Sequence, residues 1–106
     1  MQQLTVHELD ARLRASDSKP MLLDVREPWE VARCMLADSV HIPMRQIPAR
    51  IEELDRDGEI VVICHHGIRS NQVARFLDAQ GFTHVYNLMG GVDAWAREVD
   101  PKMEKY

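Results

Sequence analysis

The sequence predicts a three-layer α/β domain, in which a parallel β-sheet lies between two layers of helices. Strand and helix patterns alternate along the chain, and its apolar runs are short and continuous, as in strands covered on both faces. The helices between them have about ten residues, which suits right-handed crossovers between parallel strands. With 106 residues and 45% hydrophobic content the chain can build one core, so we expect a single domain over residues 1–106 with a polar C-terminal tail at about 100–106.

The N-terminal part of the chain predicts a helix followed by a strand. Thr5 and Glu8 form a capping box, and the apolar residues that follow recur at helical spacing, which predicts a helix over residues 5 to 15. The polar segment ASDSKP ends this helix. The apolar run MLLDV (21–25) then has the length and composition of a buried strand.

The middle of the chain repeats the alternation. Pro28 opens PWEVARCM (28–35), and proline suits the first turn of a helix. SVHIP (39–43) predicts a short strand stopped by its proline, and IPARIEEL (47–54) predicts a short helix. EIVVIC (59–64) is the strongest strand pattern in the sequence.

The last part predicts two further helices around one strand. An apolar face followed by Gly81, a favourable C-terminal stop, indicates a helix over residues 69–80. HVYNL (84–88) predicts a strand, MGG (89–91) a tight turn, and GVDAWAREV (91–99) the last helix.

Composition and charge exclude several classes of function. The net charge of −4 and pI near 5.7 provide no basic surface for nucleic acid or an anionic membrane, so neither is expected as a partner. The N-terminus lacks a signal-peptide pattern, and no apolar run approaches the roughly 18 residues of a membrane span, so we expect a cytoplasmic protein. The two cysteines form neither a CxxC pair nor a disulfide framework, which leaves thiol chemistry open.

The segment CHHGIRS (64–70) places a thiol between a predicted strand and a predicted helix. In parallel sheets ligands bind beyond the carboxyl ends of the strands, and the first amides of a helix stabilise negative charge there. Gly67 can adopt the positive φ that folds a short loop into a nest of N–H groups, and Arg69 adds a cation. These features favour a thiolate at Cys64 and a cradle for an anion attached to it.

Three segments together resemble the rhodanese-like sulfurtransferases. CHHGIRS is similar to that family's active-site loop, LLDVREPWE (22–30) to its Asp-Val-Arg-Glu motif, and NLMGGVDAWA (87–96) to its closing Gly-Gly and Trp segment. The likeness covers nearly the whole chain, in the family's order. It implies a five-stranded parallel sheet of order 3-2-4-5-1 between helical layers.

The resemblance also implies an activity. Such enzymes move a sulfane sulfur from a small donor, such as thiosulfate or a persulfide, to cyanide or a thiol through a cysteine persulfide. Cys64 would be the sulfur carrier, and no metal or organic cofactor would be required. A protein sulfur donor is a further candidate partner. The backbone amides of the loop and the Arg69 side chain would hold the substrate. The expected substrate-binding residues are therefore His65, His66, Gly67, Ile68, Arg69 and Ser70.

Several residues outside the loop are expected to have structural rather than chemical roles. Asp24 and Arg26 are expected to brace the loop, although Arg26 could instead touch substrate. Three consecutive residues such as 64–66 rarely converge on one metal ion, so no metal site is expected. Cys34 fits core packing better than a resolving thiol. Three aromatic residues are expected in the core, namely Trp29, Trp95 and Phe76.

Two other functions are alternatives. A phosphatase or arsenate reductase of related fold also uses a cysteine and an arginine, but with five residues between them, whereas here four lie between Cys64 and Arg69. A non-catalytic sulfur-carrier or interaction module is the other alternative, and loss of the cysteine would favour it. The chain also departs from the family at residues 34–39, where relatives often carry Gly-His-Ile-Pro-Gly-Ala, so the turn and the neighbouring acceptor pocket are expected to differ.

Overall fold

A computed structural model of the chain describes residues 1–15 and 19–106. Its strands are Gln2–Leu4 (β1), Met21–Asp24 (β2), Val40–His41 (β3), Glu59–Ile63 (β4) and His84–Leu88 (β5). They form one five-stranded sheet in the order β1-β5-β4-β2-β3, and every neighbouring pair is parallel. Read from its other edge, this is the order 3-2-4-5-1, so the predicted fold class and strand order are confirmed.

Helices cover both faces of this sheet. They are Val6–Ala15 (α1), Pro28–Val31 (α2), Ile47–Arg50 (α3), Ile68–Ala79 (α4) and Gly91–Glu98 (α5), with 3₁₀ turns at Met44–Gln46 and Ile51–Glu53. α1 and α5 pack together over one face, whereas α3 and α4 share a core with the other face. In the part of the chain that the structure describes, no helix is long and apolar enough to cross a membrane.

Strand β4 shows why the sheet is buried on both sides. Ile60 and Val62 point into the core beneath α3 and α4, and Val61 and Ile63 point into the core beneath α1 and α5. All four are at most 1% exposed. Successive side chains of a strand alternate between faces, so a continuous apolar run is what a two-sided sheet requires. This alternation brings Cys64 to the α4 side, at the carboxyl end of the strand.

Some elements differ from the prediction in length. The hydrophobic pattern of the sequence does not predict β1, because this strand has only three residues, lies at the sheet edge and has two exposed glutamines. The helix predicted over 28–35 stops at Val31, and the one predicted over 47–54 becomes a single α-helical turn followed by a 3₁₀ turn. The first helix ends at Ala15 as predicted, and the segment ASDSKP (15–20) that was predicted to end it falls mainly on residues 16–18, which lie outside the described residues.

The early end of α2 makes one core prediction wrong. Trp29 is 62% exposed, because the helix turns Glu30 inward instead, and Glu30 is 3% exposed. Trp95 is buried as expected, and Phe76 packs partly buried against the core under α4. The divergent segment 34–39 forms a turn in which the Ser39 amide bonds to the Leu36 carbonyl oxygen at 3.3 Å.

The C-terminal segment expected to be a polar tail folds back onto the domain. We call residues 100–106 the C-terminal strap. The Met103 amide donates to the carbonyl oxygen of Asp100 at 3.0 Å, which forms a turn. Met103 and Tyr106 pack against the core under α1 and α5, and Glu104 pairs with Arg33. The strap therefore lies near the carboxyl ends of the parallel strands.

Candidate active site

Cys64 follows β4 and is 1% exposed. The Gly67 amide donates to its Sγ at 3.1 Å, and the thiol donates to Ser70 Oγ at 3.2 Å. Gly67 has φ of 104° and is the residue from which α4 begins. Because this left-handed conformation favours glycine, the sequence can fold the loop back over the thiol.

Several backbone N–H groups of the loop have no acceptor among the residues that the structure describes. Among residues 1–15 and 19–106, no acceptor is found for the amides of His65, His66, Ile68, Arg69 and Ser70. The last three are the first amides of α4, which have no partner within a helix. Such clustered amides, together with the helix dipole, stabilise an anion. The structure thus brings the predicted loop residues together around Cys64.

The turn that sequence patterns predict at residues 89–91 holds this loop in place. At the start of α5, the Val92 amide donates to Cys64 O at 3.0 Å and the Asp93 amide donates to His65 O at 3.1 Å. Gly91 has φ of 57°, and a Cβ there would lie 2.5 Å from His65 O and overlap the Cys64 carbonyl oxygen. Only glycine lets the two backbones approach so closely.

Asn87 connects the loop to the sheet and was missed by sequence reasoning. It is 4% exposed, and its Oδ1 accepts a hydrogen bond from the Ser70 hydroxyl. Its Nδ2 donates to Gly67 O at 3.3 Å and to Gln3 Oε1 at 2.8 Å. A lone asparagine inside the apolar run HVYNL was the available signal, because a buried amide needs hydrogen-bond partners.

Arg69 lies beside the loop but is not an isolated cation. Its Nη1 and Nη2 donate to the two carboxylate oxygens of Glu30, at 2.6 and 2.8 Å. These bonds, against the opposing effect of burial, lower the pKa of Glu30 to about 2, helped by the amide of Glu27. Glu30 raises the pKa of Arg69 in return. Glu30 lies in the quoted motif LLDVREPWE, yet its ion pair depends on a tertiary contact that spacing does not reveal.

Asp24 and Arg26 form a fully buried pair, with both residues 0% exposed. Arg26 Nε and Nη2 donate to the Asp24 carboxylate, at 2.9 and 2.7 Å, and Nη2 also donates to Cys34 O at 2.7 Å. Burial lowers the pKa of Arg26, but hydrogen bonds to Asp24 and Tyr106 outweigh it and raise that pKa above its ordinary value. An arginine with no exposed surface fits the predicted bracing role better than contact with substrate.

Tyr106 is a second residue that sequence reasoning missed. Its ring stacks on the His65 ring, with 4.0 Å between centroids and 6° between planes. Its hydroxyl donates to Glu30 Oε2 at 2.9 Å and accepts from Arg26 Nη1 at 2.8 Å. Burial and the nearby His66 lower the pKa of His65. No local pattern links a C-terminal tyrosine to this loop, because the contact depends on the path of the C-terminal strap.

Two grooves flank the loop. A groove of about 600 Å³ with a mixed polar and apolar lining includes Gly67, Asn71, Arg75 and Met89. On the side of Arg69 lies a more apolar groove of about 410 Å³, bordered by residues that include Val25, Met44 and Pro48. Both offer a small molecule a route toward the loop.

One group of potential metal ligands lies nearby, formed by His65, His66 and Asp93, whose ligand atoms fall within 4.8 Å of one another. The two imidazole rings overlap, with centroids 3.9 Å apart and planes tilted by 33°. Lone pairs in the ring planes of two overlapping imidazoles do not meet at one point. Asp93 also accepts a hydrogen bond from Arg97 at 3.2 Å. We assign no metal to this group.

Comparison with known proteins decides the family. A family model described as Rhodanese-like domain matches residues 5–98. The chain belongs to the rhodanese-like family. The resemblance seen in its three motifs is therefore confirmed.

Relatives of this rhodanese-like chain include proteins named as sulfurtransferases. It is 43% identical over 102 residues to "Putative sulfurtransferase YtwF" of Bacillus subtilis, covering 96% of this chain and 97% of that protein. It is 40% identical over 75 residues to "Thiosulfate sulfurtransferase GlpE" of Pseudomonas syringae, covering 71% of each. Among solved structures, a rhodanese-like domain protein from Staphylococcus aureus has a TM-score of 0.86 at 29% identity, covering 100% of this chain and 99% of that one.

Proposed function

We propose that the protein is a sulfurtransferase that carries sulfane sulfur as a persulfide on Cys64. The observation that carries this proposal is the position of the Cys64 Sγ, inside a loop in which five backbone amides have no acceptor among the described residues and a sixth, that of Gly67, donates to the Sγ itself. Relatives named as sulfurtransferases, at 43% and 41% identity, support the general activity. Thiosulfate as donor is the finer part of the proposal, and the relative named as a thiosulfate sulfurtransferase supports it.

In the first half-reaction, the Cys64 thiolate attacks the outer sulfur of thiosulfate. A bond forms between Sγ and that sulfur, the sulfur–sulfur bond of thiosulfate breaks, and sulfite leaves with the electron pair. The thiol proton passes to solvent beforehand. The Ser70 hydroxyl accepts a hydrogen bond from the thiol and donates to Asn87 Oδ1 in the structure; once the thiol is ionised it can rotate to donate to the thiolate instead, as Gly67 N–H already does. The amides of the loop then stabilise the negative charge on the outer sulfur of the persulfide.

In the second half-reaction, cyanide or a thiolate attacks that outer sulfur. The bond between the two cysteine-borne sulfurs breaks, and its electron pair returns to Sγ as the Cys64 thiolate. The product is thiocyanate or a new persulfide. One cysteine can serve both steps, because a thiolate both attacks sulfur and leaves it. Every step uses groups of this chain and its substrates, with no metal or organic cofactor.

The alternatives are less favoured. Four residues separate Cys64 from Arg69, which makes a tighter cradle than the five-residue spacing of the phosphatases. Arg69 is also held by Glu30 rather than directed alone at the loop centre. A non-catalytic module would not need a thiol beside several amides that have no acceptor in the described part of the chain. A protein sulfur donor and a cytoplasmic location remain predictions.

The test is the intact mass of the protein after brief exposure to thiosulfate, with and without cyanide. We expect the mass of one sulfur atom to be gained and then lost on adding cyanide. Cys64→Ser should gain nothing while keeping its circular dichroism spectrum, and Cys34→Ser should behave as wild type. This one-cysteine mechanism would be contradicted if the wild-type protein gained no sulfur. It would also be contradicted if Cys34→Ser lost activity while keeping a normal structure.

A further inference from the structure

The Tyr106 hydroxyl lies between two charged pairs of the site. It donates to Glu30 Oε2 at 2.9 Å, and the same oxygen accepts from Arg69 Nη2 at 2.8 Å. It also accepts from Arg26 Nη1 at 2.8 Å, while Arg26 binds Asp24. One phenolic oxygen therefore joins the buried Asp24–Arg26 pair to the Glu30–Arg69 pair beside the loop.

The protonation and the place of Tyr106 suit this bridge. Burial raises the pKa of Tyr106 to about 12, so near neutral pH the hydroxyl keeps the proton that it donates to Glu30. A phenol can donate and accept at once, which phenylalanine cannot do. Tyr106 also lies outside residues 5–98, the part of the chain that the family model matches.

Contacts that do not involve the hydroxyl hold the tyrosine in position. Its ring stacks on His65 and meets Trp29 edge to face, with 5.9 Å between the latter centroids. The C-terminal strap is further anchored by the Glu104–Arg33 ion pair and by the packing of Met103. Removing the hydroxyl alone should therefore leave the ring docked.

We propose that Tyr106 is a positioning residue of this site: its hydroxyl fixes the Glu30 carboxylate, and Glu30 in turn holds Arg69 beside the loop that carries Cys64. The inference rests on the proposed function, because the task of the positioned Arg69 is to attract an anionic sulfur donor. Without the hydroxyl, Glu30 and Arg69 keep their charges but lose a fixed geometry. The kcat/KM for sulfur loading should then fall more for a donor with two negative charges than for a donor with one.

The first experiment compares wild type, Tyr106→Phe and Tyr86→Phe in sulfur loading from two donors. Thiosulfate carries two negative charges and an organic thiosulfonate carries one. Tyr106→Phe should lower kcat/KM for thiosulfate about tenfold, mainly through KM, and lower it about threefold or less for the thiosulfonate. Tyr86→Phe is the matched control, because it removes the hydroxyl of the other tyrosine, whose ring lies under the Arg12 guanidinium. It should match wild type with both donors.

An equal loss with both donors would indicate a general structural effect and overturn the proposal. An unchanged Tyr106→Phe variant would overturn it as well, while leaving the proposed sulfur transfer intact. Wild-type protein that loads sulfur from neither donor would instead overturn the proposed function, and this role of Tyr106 with it.

A second experiment tests the docked tyrosine without any sulfur transfer. In Tyr86→Phe, Tyr106 is the one remaining tyrosine of the sequence. Its phenolate absorbance should rise with a midpoint near 12, with circular dichroism recorded in parallel to show that the protein is folded. Because burial is the main cause of the raised pKa, a midpoint near the ordinary value of 10 in folded protein would show that the Tyr106 hydroxyl is not buried in the site, and would overturn the proposal.

Discussion

Replacing Glu30 by glutamine should change the way in which stability depends on pH. Glutamine has nearly the same shape but no charge, so it cannot form the paired bonds that Glu30 makes to Arg69. The pKa of Glu30 falls from an ordinary 4.5 to about 2 in the folded protein. At 1.36 kcal/mol per pKa unit, this corresponds to about 3 kcal/mol of stabilisation. The Glu30 side chain is 4% exposed but the Arg69 side chain is 35% exposed, so solvent screens the pair in part and about 3 kcal/mol is an upper value.

The sign follows from the lowered pKa. The stabilisation is complete above about pH 4.5, where Glu30 is ionised even in the unfolded chain, and is lost as the pH falls toward 2. By pH 3 about 2 of the 3 kcal/mol should be gone. The advantage of wild type over Glu30→Gln should therefore shrink by about that amount between pH 6 and pH 3.

The assay is urea unfolding of both proteins across this pH range, followed by tryptophan fluorescence. Glu53→Gln is the control: Arg50 lowers the pKa of Glu53 too, but the Glu53 side chain is 54% exposed, so screening should leave a much smaller pH dependence. If the gap between wild type and Glu30→Gln stayed constant from pH 6 to pH 3, Glu30 would not be a paired carboxylate in solution.

Three further predictions concern the loop. Gly91→Ala should destabilise the fold by about 2 kcal/mol or more and reduce sulfur loading, because the new Cβ would meet the carbonyl oxygens of Cys64 and His65. Gly58→Ala is the control and should be nearly neutral, because its Cβ would meet only the Asp55 side chain. Similar unfolding midpoints for the two variants would contradict this. Asn87→Leu should cost about 1–3 kcal/mol in urea unfolding, because it removes the acceptor of the buried Ser70 hydroxyl and one of the donors to the Gly67 carbonyl oxygen. A cost near zero would refute that role. A glycine inserted between Gly67 and Ile68 should impair sulfur transfer by enlarging the cradle, and the native protein should not hydrolyse an aryl phosphate; Cys64-dependent phosphatase activity would count against the loop-length argument.

Features set by neighbouring residues could be predicted from the sequence. The run EIVVI has to be covered on both faces, and Gly67 before a helical pattern indicates the turn that returns to Cys64. Periodicity and backbone preference act over a few residues, so they are visible in a linear sequence. The fold class and the membership of 64–70 in one loop follow from them.

Features set by distant partners could not be predicted in this way. Glu30 meets Arg69 across 39 positions, and Tyr106 meets Glu30 across 76. Residue type alone predicts a buried Trp29, because large apolar residues are usually buried, but the single turn of α2 leaves it at the surface. These outcomes depend on where the chain runs after each element ends.

The two bonds from the start of α5 to the loop also govern the direction of its peptide dipoles. A trans peptide is planar, with its carbonyl and its N–H pointing in opposite directions. Since Val92 and Asp93 hold the oxygens of Cys64 and His65, the N–H groups of the next residues, His65 and His66, must face away from α5. The amides of Val92 and Asp93 thus donate to the protein itself, and they orient the amides of His65 and His66 for a ligand. A small rotation of α5 would turn the positive ends of these two peptides away from the loop centre.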